Sequence, residues 1–187
     1  MIPILDLPEV RRRISRLSVE EYHRLDEFSE NGKRTEFIRG IVFEKTSKSP
    51  LHATIATRLF KTVLRVLPAG FTARMEQPLT LADSEPEPDI SVVRGQDSDF
   101  KRAHPTTASL VVEIAVSSPD LDRELAALYA EAGVEEYWIV LAHEQAMEVH
   151  RLPVAGVYQE KTTVATGGTA RSASVPGVTV ALDDLFA

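Results

Sequence analysis

The stretch SLVVEIAVSSPDLDRELAALYAEAGVEEYWIV, from Ser109 to Val140, limits the folds open to this chain more than any other. SLVVEIAV is a short, almost wholly apolar run, which reads as a buried strand. DRELAALYAEAG then carries apolar residues at helical spacing and ends on a glycine, as amphipathic helices do. EYWIVL is a second apolar run of strand length. Two strands joined through a helix cannot form a hairpin. They pair in parallel through a crossover, which is right-handed in nearly all proteins. The expectation is therefore an α/β fold with a mixed β-sheet flanked by helices.

The flanking sequence adds elements to that centre. LSVEEYHRLDEF opens with Ser18 and, three residues on, Glu21, the pattern of a capping box, and predicts a helix from about Val19 to Phe28. Asn31-Gly32 predicts a turn. TEFIRGIVFEK predicts two short strands around Arg39-Gly40. SPLHATIATRLFKTVLRVLPAG predicts a long helix with Leu51, Ile55, Leu59, Val63 and Val66 on one apolar stripe. FTARMEQPLTL reads as a strand bent near Pro78. SEPEPDISVVRG reads as an acidic, proline-rich loop leading into a strand, and residues 96–107 as a polar loop. QAMEVHRL, GVYQEKTTV and SVPGVTVAL read as additional antiparallel strands at the C-terminus.

Length and composition narrow the class. At 187 residues the chain can bury a core of its own and is expected to form a single domain over residues 1–187, with a core at about 18–160 and an extension at 1–17. It contains no cysteine, which excludes disulfides and thiolate metal sites. No apolar run has the length of a membrane span and the N-terminus lacks a signal-peptide pattern, so a soluble cytoplasmic protein without a membrane partner is expected. The net charge of −7 argues against a surface coated with basic residues, though not against a local basic groove.

Three acids stand inside or at the mouth of the predicted strands: Glu36 in TEFIRG, Asp89 in PDISVV and Glu113 in LVVEIAV. A strand acid is commonly exposed or paired with a cation. A buried, unpaired one costs several kcal/mol or takes up a proton. Asp89 and Glu113 lie 24 residues apart at the start of one strand and within the next. Acids on adjacent strands can hold Mg2+ or Mn2+ between them, with water and a phosphate completing the octahedron. Such an ion polarises a phosphate and lowers the pKa of the attacking water.

Pro88-Asp89 before a strand, followed by an acid in the next strand, is similar to the motif of the PD-(D/E)XK nuclease superfamily. The ordered segments SVEEYHRL, EFIRGIVFE, SPLHATIATRL, EQPLTLADSEPEPDISVVRG, LVVEIAVSS, LYAEAGVEEYWIV and VHRLPVAGVY span about residues 18–160. Together they resemble the Uma-type family of restriction-endonuclease-like proteins within that superfamily. The resemblance implies a restriction-endonuclease-like core and a metal-dependent endonuclease that hydrolyses DNA phosphodiester bonds. It implies Asp89, Glu113 and Glu36 as metal-binding and catalytic acids, with His52 and Gln77 in support. A homodimer formed through the C-terminal strands or a sheet edge is compatible with it.

The superfamily lysine is missing. The position two residues after Glu113 holds Ala115, and the Uma-type alternative, a lysine in the following helix, falls on a one-residue gap in LDRELAALYA. Arg123, on the same helix, is the expected substitute, because a guanidinium can stabilise phosphate charge although it cannot act as a base. A further departure is Leu141, where the family often has an acid. Arg58, Lys61 and Arg65 form a basic stripe suited to a DNA backbone, or simply a solvated helix face. Arg11, Arg12, Arg13 and Arg16 form a second cluster. Two other readings stand beside the nuclease: a catalytically impaired nuclease fold serving as a nucleic-acid-binding or assembly module, and an interaction protein whose strand acids are structural.

Overall fold

The structure, a computed structural model, describes residues 7–26, 35–45, 47–117 and 119–187. The predicted Asn31-Gly32 turn lies outside them. The chain divides into one unit of Met1–Lys45 with Ala82–Glu85, and another of Thr46–Leu81 with Pro86–Ala187.

The first unit contains α1 (Pro8–Arg11), α2 (Val19–Asp26), β1 (Thr35–Ile38) and β2 (Ile41–Glu44). The capping box read from the sequence is present. The Ser18 amide donates to the Glu21 carboxylate at 2.8 Å, and the Glu21 amide donates to Ser18 Oγ at 3.2 Å. Two of the orphan amides at the helix start are thereby satisfied. Tyr22 of α2 is buried and stacks on Phe37 of β1, with ring centroids 4.8 Å apart. The β1–β2 hairpin turns at Arg39 (φ 52°) and Gly40 (φ 79°), two positive φ values in succession, as its two-residue loop demands. A Cβ at Gly40 would come within 2.5 Å of the Arg16 Cβ, so only glycine fits.

The second unit is built on a six-stranded sheet in the order β3 (Phe71–Met75), β4 (Ile90–Arg94), β5 (Leu110–Ala115), β6 (Glu136–Leu141), β7 (Ala146–Val154) and β8 (Val157–Ala165). All neighbours are antiparallel except β5 and β6, which pair in parallel through α4 (Pro119–Glu131). This is the crossover predicted from Ser109–Val140. The helix begins three residues earlier than expected because Pro119 suits its first position and Asp120 and Asp122 suit its first turn. β9 (Thr169–Arg171) and β10 (Thr179–Ala181) pair with each other, and a short α5 (Leu182–Phe186), unforeseen in the sequence, follows.

Side-chain alternation assigns the two faces of the sheet. Ile90, Val92, Leu110, Val112, Ile114, Trp138, Val140, Met147 and Val149 pack in one core with Ile55, Leu59 and Val63 of α3 (Pro50–Val66) and with Leu182 and Leu185 of α5. Leu51 and Val66, expected on the same stripe of α3, are exposed. They lie in the first and last turns, and the buried places at this face go instead to His52 and Ala56. The opposite face carries Glu113, Tyr137 and Glu148, with Leu128 and Tyr129 of α4 buried there. The strand expected in FTARMEQPLTL stops at Met75, because Glu76 takes φ 50° and turns the chain out of the ladder.

Candidate active site

The site forms where β4 begins beside β5. Asp89 is the residue before β4, and the antiparallel register places it opposite Glu113. The Asp89 amide donates to Glu113 Oε2 at 3.1 Å, and the Ile114 amide donates to Asp89 Oδ2 at 2.8 Å. Each acid thus ties down the backbone of the other's strand, and both are buried. Glu113 points toward α4, where the Tyr129 hydroxyl donates to its Oε1 at 2.8 Å. Tyr129→Phe removes this donor and is expected to cost about 1–2 kcal/mol, measured as a lower urea midpoint.

α3 supplies the next contact. Ser49 caps the helix, its Oγ accepting the His52 amide at 3.2 Å, and Pro50 sits at the first helical position. His52 is buried on the first turn, with Nε2 2.9 Å from Asp89 Oδ2. The carboxylate can only accept, so Nε2 carries the proton; Nδ1 has no hydrogen-bond partner among the described residues. Burial raises the Asp89 carboxyl pKa, but the His52 bond and the charge of Lys48 outweigh it and hold the group below its ordinary range.

Lys48 is the residue that the sequence did not reveal. Its Nζ lies 2.5 Å from Asp89 Oδ1 and 3.1 Å from Glu76 Oε1, with the side chain mostly buried. Burial depresses its pKa, but Asp89 and Glu76 more than restore it, so the ammonium stays charged. The positive φ at Glu76 turns that carboxylate back to Lys48, while the neighbouring Gln77, named in the sequence reading, is exposed. A lysine immediately before a helix cap carries no local signal of this contact, because its partner Asp89 is 41 residues away.

Of the other candidates, Glu36, Arg123 and Arg58 have partners of their own. Glu36 is on β1 in the first unit, where it pairs with Lys45 at 3.2 Å. Arg123 of α4 donates from Nη2 to Glu148 Oε1 at 2.8 Å and from Nη1 to Asp120 at 3.1 Å. Glu148 and Glu113 flank Ile139 across β6, so the carboxylate that holds Arg123 springs from backbone about 10 Å, or two strand spacings, from that of Glu113. Arg58, Lys61 and Arg65 are all exposed on α3, and the Arg58 guanidinium also donates to the Leu185 and Ala187 carbonyls.

Glu148 also receives Lys161 at 2.8 Å. Burial raises its pKa, but Arg123 and Lys161 bring it down to about 2. A carboxylate with a depressed folded pKa stabilises the protein above its unfolded value and loses that contribution as pH falls. Glu148→Gln is therefore expected to flatten the fall in melting temperature between about pH 4.5 and pH 2, read from thermal melts across that window.

The donor chemistry suits a hard divalent cation. Asp89 and Glu76 already hold one positive charge, the Lys48 ammonium, and Asp89 and Glu113 offer oxygen donors only. Among the described residues no group of three or more His, Cys, Asp or Glu could cage a metal. Two carboxylates with water and a phosphate match the way Mg2+ is usually bound, which is by one or two acids and not by a protein cage.

Residues 19–183 match the model of the Uma2 family, whose description reads "Putative restriction endonuclease". The fold is similar to the crystal structure of a putative nuclease belonging to DUF820 from Anabaena variabilis, with TM-score 0.71 and 20% sequence identity over 87% of this chain and 96% of that one. At that identity the likeness concerns the fold alone. No curated protein matches the sequence. No helix among the described residues is long and apolar enough to cross a membrane.

Proposed function

Because the chain belongs to the Uma2 family of restriction-endonuclease-like proteins, we propose that it is a Mg2+- or Mn2+-dependent nuclease hydrolysing DNA phosphodiester bonds. The observation that carries this is the interlocked pair Asp89 and Glu113, buried side by side at the start of β4 and each bonded to the other's strand. Asp89 and Glu113 would hold the ion, which when bound polarises the phosphate and makes water a better nucleophile.

The chain's own groups set the stage for that chemistry. His52 and the Ile114 amide fix the orientation of Asp89, and Tyr129 fixes Glu113. Partners of this kind are what preorganises the ligands of a metal site. The exposed Arg58, Lys61 and Arg65 face of α3 offers positive charge to a phosphate backbone. The resemblance also places Glu36 among the acids; within the first unit it is held on β1.

The test is cleavage of supercoiled and single-stranded DNA by the purified protein in Mn2+, Mg2+ or EDTA. Metal-dependent nicking that EDTA abolishes supports the reading. No cleavage, with salt-dependent DNA binding retained, would favour the nucleic-acid-binding module, a reading supported by Ala115 at the expected lysine position.

A further inference from the structure

We infer that Lys48 is the cation that contacts the scissile phosphate, and that it releases Asp89 to the metal as it does so; this rests on the nuclease reading above. Lys48 approaches the acids from the segment just before the Ser49 cap of α3, not from β5 or α4. Its ammonium lies on Asp89 Oδ1 and its second partner is Glu76, both at the mouth of the sheet where β3 ends and β4 begins. The two positions where the family pattern places a cation are unfilled in the sequence, and Arg123 is held by Glu148. Lys48 thus brings a positive charge to the acids that the substrate must meet.

Asp89 Oδ2 already accepts from His52 and the Ile114 amide, so the oxygen that Lys48 holds, Oδ1, is the one a divalent ion would compete for. Were Asp89 to hold a divalent ion, the ammonium of Lys48 on Oδ1 would be repelled by its charge and held less firmly. The lysine stem is long and flexible, so Nζ can leave Asp89 without moving α3. A phosphodiester provides the anion it then needs. In the hydrolytic step the water oxygen bonds to phosphorus while the bond from phosphorus to the leaving sugar oxygen breaks, its electron pair staying on that oxygen. The attacking water gives its proton to a second water, and the leaving oxygen takes one from solvent. Lys48 stays protonated throughout and offsets the charge that builds on the phosphoryl oxygens.

Two effects follow from one residue exchanging partners. Without DNA, Lys48 competes with the metal for Asp89. With DNA, the phosphate draws Lys48 away, so metal and phosphodiester strengthen each other's binding. The experiment measures Mn2+ binding by electron paramagnetic resonance, with and without a phosphorothioate-linked thymidine decanucleotide, together with plasmid cleavage rates. Wild type, Lys48→Ala, Lys48→Arg and Arg123→Ala are compared, with thermal melts confirming that each is folded.

Wild type is expected to bind Mn2+ at least about fivefold tighter when the oligonucleotide is present. Lys48→Ala is expected to bind Mn2+ more tightly than wild type without DNA, to gain under about twofold from the oligonucleotide, and to cleave about 10²–10³-fold more slowly. Lys48→Arg is expected to recover part of the rate. Loss of Mn2+ binding in Lys48→Ala would overturn the inference, because the lysine would then only be organising Asp89. So would a Lys48→Ala rate close to wild type, or an Arg123→Ala loss without one in Lys48→Ala. A wild type that cuts no DNA overturns the nuclease reading, and the phosphate role with it. A wild type that cuts alongside an equally active Lys48→Ala overturns only the role of Lys48.

Discussion

Asp89→Ala is expected to lower metal-dependent DNA cleavage by on the order of 10³-fold or more, the largest effect on activity of any single substitution in the chain. The substitution removes a proposed metal ligand, and it also undoes what surrounds it. Lys48 loses its closest described partner, His52 Nε2 loses its acceptor, and the Ile114 amide is left without one. A loss of about 2 kcal/mol in stability should accompany the loss of rate, since buried donors without acceptors cost 1–3 kcal/mol each and Lys48 retains some solvent. Asp89→Asn separates the two effects. Its amide oxygen can still accept from Ile114, so the melting temperature should fall much less, while the missing charge still removes the metal. Plasmid nicking rates in Mn2+ alongside thermal melts check both variants. A rate for Asp89→Asn within a few-fold of wild type would show that the interlocked pair is architecture only.

Glu136→Ala should produce the largest loss of stability, about 3 kcal/mol, which for a chain of this size is a fall of about 6–12 °C in melting temperature. Glu136 opens β6 and is almost wholly shielded from water. Its Oε1 accepts Arg151 Nε at 2.6 Å. Its Oε2 accepts the Ala173 amide at 2.9 Å, the Ser174 amide at 3.1 Å, Ser174 Oγ at 2.8 Å and the Ser172 hydroxyl. One carboxylate therefore anchors the loop between β9 and β10 to the centre of the sheet. Its removal strands several donors at once, and the isosteric Glu136→Gln, which keeps one acceptor but turns a donor toward the same amides, should recover only part of the loss. Urea unfolding followed by circular dichroism measures both. The Mn2+ affinity of folded Glu136→Ala should stay close to wild type, because none of its described partners touches Asp89 or Glu113.

The placement of β4, β5, α4 and β6 was legible in the sequence because each signal is local. Apolar runs of strand length, a helical spacing between them and a glycine at the end allow one arrangement, the parallel crossover. Asp89 and Glu113 were legible as candidates, though not as a pair. The sequence offered both acids through the resemblance of Pro88-Asp89 and Glu113 to the PD-(D/E)XK motif, while the register that sets them opposite each other is seen only in the structure. Less could be read where a contact joins distant segments. Leu51 and Val66 obey the periodicity of α3 yet lie in solvent, since periodicity defines a face and not how far the sheet extends beneath it. Glu76 looked like a strand residue, but its positive φ redirects it, and backbone conformations of that kind leave little trace in residue type.

By itself, the sequence determined the α/β crossover, the capped helices, the hairpin at Arg39-Gly40 and the two acids that the sheet brings together. It also determined the loss of the lysine from both expected positions, because absence from a motif is a property of the string alone. Only the tertiary structure decided what cation stands at the acids. Lys48 meets Asp89 across 41 residues, through the packing of α3 against the sheet and the capping of that helix by Ser49. A buried carboxylate must find positive charge somewhere. The chemistry of Asp89 required a partner, and the fold alone chose which residue it would be.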